Sequence, residues 1–151
     1  VLPLSNPTSH AEATPRDLVA WTDGRVLVST GSPFPPVKHD GRTRRVDMTN
    51  NSYIFPGVGL GVLACGATRI TDGMIIAAAK GLAEVSPANN DPEGNLLPPL
   101  TDMREVAIAV AEATARQARA EGVCEAFEDG DLRRLIDRFV WTPQYQVYRK
   151  G

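Results

Sequence analysis

Short apolar runs broken by turn signals fill the first third of the chain, and helical spacing takes over after it. Val1-Leu2-Pro3-Leu4 is apolar and stops at Ser5-Asn6-Pro7-Thr8. Asn-Pro marks a turn, and Pro7 biases Asn6 away from the helical region. The pattern predicts a short buried strand carrying Asn6 at its C-terminal end. Pro3 makes that strand irregular or places it at an edge. Ser9 to Glu12 has capping-box spacing and predicts a helical turn. Thr14-Pro15-Arg16-Asp17 is a stronger start: an N-cap, a proline in the first position and an acid in the first turn. The helix it opens runs to about Thr22, burying Leu18, Val19 and part of Trp21, and Asp23-Gly24 ends it. Arg25 to Thr30 is rich in β-branched residues, predicts a second strand, and stops at Gly31-Ser32-Pro33. Strand, helix and strand at this spacing form a βαβ unit, with parallel strands and a right-handed crossover. Asn6 and Ser32 then share the strand-end edge where open α/β sheets bind ligands.

Pro33 to Thr49 holds three prolines and little periodicity, so it reads as a long loop delivering the chain to Asn50-Asn51. Phe55 to Ala67 is apolar and glycine-rich, and Gly59-Leu60-Gly61-Val62-Leu63-Ala64 matches G-x-G-x-x-A. A dinucleotide fingerprint needs a strand before it, a helix after it and an acid at the end of the next strand. Tyr53-Ile54-Phe55 could serve as the strand and Glu84 stands at the right distance. The residues before Glu84 nevertheless read as helix, with Asp72 as cap and Met74, Ile75, Ala78 and Leu82 at helical spacing. The competing reading is a buried helix whose glycines permit close packing. Prolines and Gly94 punctuate a loop from Ser86 to Pro99. Thr101-Asp102 then caps a strong helix with Met103, Val106, Val110 and Ala113 on its apolar stripe, ending at Gly122. A polar stretch precedes a short helix from Asp131 to Phe139. The aromatic tail from Trp141 to Tyr148 is expected to pack on the domain or a partner.

At 151 residues this is one domain with a sizeable core, residues 122–151 forming its C-terminal helix and tail. Its 42% hydrophobic and 23% charged residues are ordinary for a globular protein. A net charge of −2 gives no electrostatic footprint for nucleic acid. No apolar run reaches the roughly 18 residues of a membrane helix, and the N-terminus has no signal-peptide pattern. Two cysteines, Cys65 and Cys124, form neither a metal pattern nor a disulfide framework, which fits a reducing cytoplasm. Val1 opens mid-pattern, as though an apolar strand continued from something longer, so the chain reads as a fragment.

Candidate chemistry centres on amides. An amide offers an acceptor and two donors without a charge to desolvate. Asn6, Asn50 and Asn51 are therefore candidate ligand groups. Their alternative roles are an Asx turn for Asn6 and a helix cap for Asn50-Asn51. Ser29 and Ser32 are strand-end hydroxyls, with turn bonding or ligand contact open to both. His10 and His39 have no metal spacing to a second ligand and read as surface residues. No nucleophile stands in a recognisable catalytic setting.

Three stretches together resemble the malic enzymes: Leu4-Ser5-Asn6-Pro7-Thr8 with Ala11-Glu12 and Thr14; Ser32-Pro33-Phe34 with Pro36-Val37; and Asn50 through Gly61, continuing to Ile70-Thr71-Asp72. Leu97-Pro98-Pro99-Leu100 is also similar. One departure is Met48-Thr49, where many relatives carry a glutamine and a small residue. The resemblance implies the C-terminal part of an NAD(P)-binding domain: α/β, three-layer and Rossmann-like, with a short parallel sheet flanked by helices. It implies oxidative decarboxylation of L-malate to pyruvate and CO2 by the full-length parent, with NAD or NADP and Mg2+ or Mn2+. It gives Asn6, Asn50 and Asn51 as substrate-binding, and Asn6, Ser32 and Asn51 as cofactor-binding. The family's catalytic tyrosine and lysine, its metal ligands and its dinucleotide fingerprint lie upstream of the matching region. The chain alone is thus expected to be inactive, with the remainder of the enzyme as partner in a homodimer or homotetramer. The alternatives are a non-catalytic dinucleotide-binding or assembly module, and a complete dinucleotide site at Gly59.

Overall fold

A computed structural model describes residues 1–91, 95–142 and 144–145. The chain opens with an extended segment, Val1 to Leu4, beside β1 (Ser29–Thr30). Ser29 N donates to Val1 O at 3.3 Å, Gly31 N to Pro3 O at 3.0 Å, and the Val1 amino group to Leu27 O at 2.6 Å. These are the slanted bonds of a parallel pair. Pro3 has no N–H to return to the ladder, which keeps the segment from pairing as a regular strand. Pro3 is the buried residue of the segment, whereas Val1, Leu2 and Leu4 are exposed, so the strand is not the buried one the apolar run suggests. Between it and β1 runs α1 (Pro15–Trp21), started as the sequence predicts: Thr14 Oγ1 accepts from Asp17 N at 3.2 Å. Leu18 and Val19 are buried with Val26, but Trp21 is exposed.

The stretch expected to be a structureless loop contains a hairpin. β2 (Val37–His39) and β3 (Arg42–Arg44) pair antiparallel, Val37 opposite Arg44 and His39 opposite Arg42. Asp40 and Gly41 both have positive φ, 48° and 74°, as a two-residue hairpin turn requires. The Asp-Gly signal was present, but the flanking residues lack the apolar alternation that identifies strands. The chain then enters β4 (Asp47–Met48), parallel to β1 with Ser29 opposite Asp47 and Thr30 opposite Met48. β1 therefore lies between β4 and the N-terminal segment.

Helices form the rest: α2 (Phe55–Cys65), α3 (Asp72–Glu84), α4 (Met103–Ala120) and α5 (Asp129–Asp137). α4 is the axis, burying Val106, Ile108, Val110, Ala111, Thr114, Ala115 and Ala118. The cap of α3 is Thr71, not Asp72: its hydroxyl accepts from Met74 N at 3.1 Å. Asp102 stands at the N-cap of α4 as expected, but it also ends a 3-10 turn, Leu100–Asp102, and makes no side-chain cap bond. α5 begins two residues before the expected Asp131. Cys65 is buried beside Cys124, and burial foremost pushes its thiol up to about 11. Trp141 and Tyr145 are exposed rather than packed on the domain; Pro143 and residues 146–151 of the predicted tail, and Pro92 and Gly94 of the predicted loop, lie outside the described residues. The architecture is the expected Rossmann-like α/β class, a short parallel sheet flanked by helices.

The glycines of α2 sort by what they face. A Cβ on Gly57 would stand 2.5 Å from Val110 Cβ, and one on Gly61 2.6 Å from the Ala111 carbonyl oxygen. Gly59 faces open space. Gly57 and Gly61 thus set how closely α2 approaches α4, as the packing reading requires. Gly61→Ala should lower the thermal midpoint, at a cost of about 1–3 kcal/mol for overpacking. Gly59→Ala should raise it, by up to about 1 kcal/mol of helix propensity. Thermal unfolding of the two variants side by side checks both signs.

A candidate amide-lined site at the sheet edge

β1 and the N-terminal segment end side by side. Gly31 makes this possible: a Cβ there would collide with the backbone of Leu4. Thr30 fixes the corner, its hydroxyl donating to Ser32 O at 2.8 Å and reaching Asp47 O at 3.2 Å. The Ser32 hydroxyl then donates to Asn6 Oδ1 at 2.5 Å. Just before Asn6, the Ser5 hydroxyl donates to Glu12 Oε1 at 2.6 Å, and this bond is the main reason the Glu12 carboxyl titrates below its ordinary range.

β4 leads to the second amide pair. Thr49 N donates to Thr30 O at 2.8 Å, and the Thr49 and Ser29 hydroxyls share a 2.5 Å bond. Asn50 Oδ1 accepts from Ser52 N at 3.0 Å, capping the 3-10 turn Asn51–Tyr53. Asn50 therefore has the capping role its alternative reading gave it, and its amide nitrogen has no partner among the described residues. Buried Tyr53 donates its hydroxyl to Pro98 O at 2.6 Å. Burial raises its pKa; Arg45 opposes that and Asp47 adds to it.

Asp47 ties the far wall in place. Its side chain is buried, its Oδ2 accepting from Leu96 N at 2.7 Å and Leu97 N at 3.2 Å. Arg45 donates to Asp47 Oδ1 at 2.9 Å and to Leu97 O at 2.7 Å. Nothing in the local pattern marks Asp47, since its backbone partners Leu96 and Leu97 are 49 and 50 residues away in sequence.

These elements enclose a cleft of about 410 Å³. Asn6, Thr49, Asn50 and Asn51 line it with polar groups; Leu4, Tyr53, Ile54, Leu82 and Leu97 supply the rest. The three asparagines singled out in the sequence thus come together. Ser32 does not line the cleft but stands behind Asn6, 7% exposed. Thr49, Tyr53, Leu82 and Leu97 were not anticipated as site residues, although Tyr53 and Leu97 lie in stretches that resemble the family and Leu82 lies on the predicted apolar stripe of its helix.

The cleft lining holds no carboxylate, imidazole or thiol, so it does not suit a divalent metal. Among the described residues, Asp23, His39 and Asp40 have ligand atoms within 4.8 Å of one another, but at the entry to β1 rather than its exit. His39 is not the solvated residue expected: its Nε2 is buried, 3.4 Å from Asp40 and 3.7 Å from Asp23, without a hydrogen bond. His10 is exposed and outside the cleft lining. The G-x-G-x-x-A segment lies inside α2, preceded by a 3-10 turn instead of a strand, and Glu84 ends a helix. The complete dinucleotide site considered at Gly59 lacks its structural context.

A parallel sheet edge with neutral amides converging on a cleft defines a Rossmann-like α/β domain of the ligand-binding kind. Comparison with known proteins narrows this. The family described as "Malic enzyme, NAD binding domain" matches residues 1–119. The chain is 51% identical over 150 residues to the NAD-dependent malic enzyme of Sodalis glossinidius, covering 99% of this chain and 26% of that one. It is also 51% identical over 150 residues to the NAD-dependent malic enzyme of Pseudomonas syringae, covering 99% and 27%. The crystal structure of malic enzyme from Pyrococcus horikoshii superposes with a TM-score of 0.69 at 32% identity, over 91% of this chain and 28% of that one. The chain belongs to the malic enzyme family. It spans about a quarter of the length of the curated relatives it matches.

Asp47→Ala should cost about 3 kcal/mol, because it orphans two backbone N–H groups along with the Arg45 bond. A thermal midpoint close to that of the wild type would show that the Asp47 tie is not what holds the 95–99 segment.

Proposed function

We propose that this chain supplies one wall of an active site that oxidatively decarboxylates L-malate to pyruvate and CO2 in a longer enzyme. The observation that carries the reading is the convergence of Asn6, Asn50 and Asn51 on one cleft. In this reading all three bind substrate. Asn6 and Asn51 also face the cofactor, which Ser32 reaches through its bond to Asn6. Amides suit the task because they hold a carboxylate without adding charge that would oppose loss of carbon dioxide. Holding the C2–H bond in line for transfer lowers the barrier by removing orientational freedom before the reaction. The bound nicotinamide cofactor supplies the hydride acceptor.

NAD is the cofactor we assign over NADP, because similar proteins at 51% identity are called NAD-dependent. The Mg2+ or Mn2+ that the family resemblance implies finds no ligands in this cleft, and belongs to acids elsewhere in the enzyme. A dimer or tetramer is the proposed assembly, and the cytoplasm the proposed compartment. No described helix is long and apolar enough to cross a membrane.

In the full-length enzyme, Asn50→Ala should lower kcat/KM for L-malate by at least about tenfold, the worth of one lost hydrogen bond to a charged group. The 151-residue chain alone, given malate, NAD+ and Mg2+, should form no NADH. A full-length wild-type protein with no malate-dependent NADH formation would leave the non-catalytic binding module as the better reading.

A further inference from the structure

A side-chain amide has two unlike ends. Half a turn about its last torsion swaps an acceptor for a pair of donors, and so reverses what the residue recognises. Asn6 is exposed at the cleft, so its orientation must come from a hydrogen bond rather than from packing. Its Oδ1 accepts from the Ser32 hydroxyl. Its Nδ2 has no partner among the described residues. A flipped amide would donate to the Ser32 oxygen instead and leave the Ser32 proton without an acceptor among the described residues, at a position only 7% exposed, and an unmade donation at such a site is costly. Ser32 itself cannot drift. Its carbonyl is held by Thr30 Oγ1 at 2.8 Å, and Gly31 N is bonded to Pro3 O at 3.0 Å.

Asn50 repeats the arrangement by other means. Its Oδ1 accepts from the Ser52 backbone N–H, which can only donate, so that amide has its oxygen tied, and its nitrogen has no partner among the described residues. Two amides from separate segments therefore offer donors at one cleft while their oxygens are taken by the protein.

We propose that Ser32 is a positioning residue that locks the Asn6 amide with its N–H pair available to the cleft, so that Asn6 recognises an acceptor oxygen. The proposal rests on the functional reading above. Two sources of that oxygen fit: a carboxylate of malate, or the carboxamide carbonyl of the nicotinamide. Ser32 then acts through Asn6 and touches neither substrate nor cofactor.

A double-mutant cycle on the full-length enzyme tests this, with kcat and KM for L-malate and for NAD+ measured beside the thermal midpoint. Ser32→Ala should lower kcat/KM by about tenfold with little change in midpoint. A raised KM for malate assigns the oxygen to the carboxylate; a raised KM for NAD+ assigns it to the carboxamide. In an Asn6→Ala background, Ser32→Ala should cause no further loss. An unchanged kcat/KM in Ser32→Ala overturns the proposal, as do losses that multiply in the double variant. If Ser32→Ala does not fold, Ser32→Cys keeps the shape while weakening the donor, and is read the same way. A wild-type enzyme that forms no NADH from malate sinks the functional reading instead. The orientation claim is then decided by a crystal structure of Ser32→Ala: an Asn6 amide held unmoved overturns it.

Discussion

Asp47 sits almost fully buried at the start of β4, and its two oxygens accept from Arg45 and from the backbone N–H groups of Leu96 and Leu97. A buried carboxylate is tolerated only with such partners. Leu96 and Leu97 lie beyond α2 and α3 in the chain, so one side chain joins the parallel sheet to the segment leading into α4. Together with the bonds from Arg45 to Leu97 O and from Ser86 to Leu96 O, it holds Leu97 at the cleft and Pro98 where Tyr53 donates its hydroxyl. Tyr53 in turn closes the 3-10 turn that Asn51 opens and Asn50 caps. The placement of that amide pair is thus tied to one carboxylate satisfied by Arg45 and two backbone N–H groups.

The cleft itself is held by neutral groups. Ser32 and Ser52 take the oxygens of Asn6 and Asn50, which leaves donors for a ligand without any buried charge to solvate. Two close approaches support this arrangement. Gly31 lets β1 pass against Leu4, and Gly57 and Gly61 let α2 press on α4. In both places a methyl group would meet backbone or a packed side chain, which cannot yield as a surface side chain can. Of the two glycines in the segment that resembles a phosphate-binding motif, Gly61 serves packing and Gly59 faces open space, and the polar lining of the cleft comes from the asparagines and Thr49.

Features encoded within a few residues were legible in the chain. Thr14 and Pro15 start α1 because a cap and a proline act on the turn that follows them. The helical spacing of Met74, Ala78 and Leu82 gave α3, and the turn residues after each early apolar run placed Asn6 and Ser32 at strand ends. The same locality explains the errors. Thr71 rather than Asp72 caps α3, a choice between adjacent residues that geometry alone settles. The hairpin at Asp40-Gly41 was hidden because Lys38, Arg42 and Arg44 gave no alternation. Trp21 and Leu4 read as buried from their apolarity, yet apolar residues are common on protein surfaces.

By itself the sequence determined the class of fold, the order of its helices and the identity of the amides, since each follows from periodicity, capping chemistry or a short motif. Tertiary structure alone decided that those amides share one cleft, that Ser32 stands behind Asn6 instead of lining it, and that Asp47 ties the wall. Those facts depend on contacts between residues 26 to 50 apart, such as Ser32 with Asn6 and Asp47 with Leu97. No local pattern records a partner so distant, because the pairing is chosen only when the sheet edge and the helices close on one another.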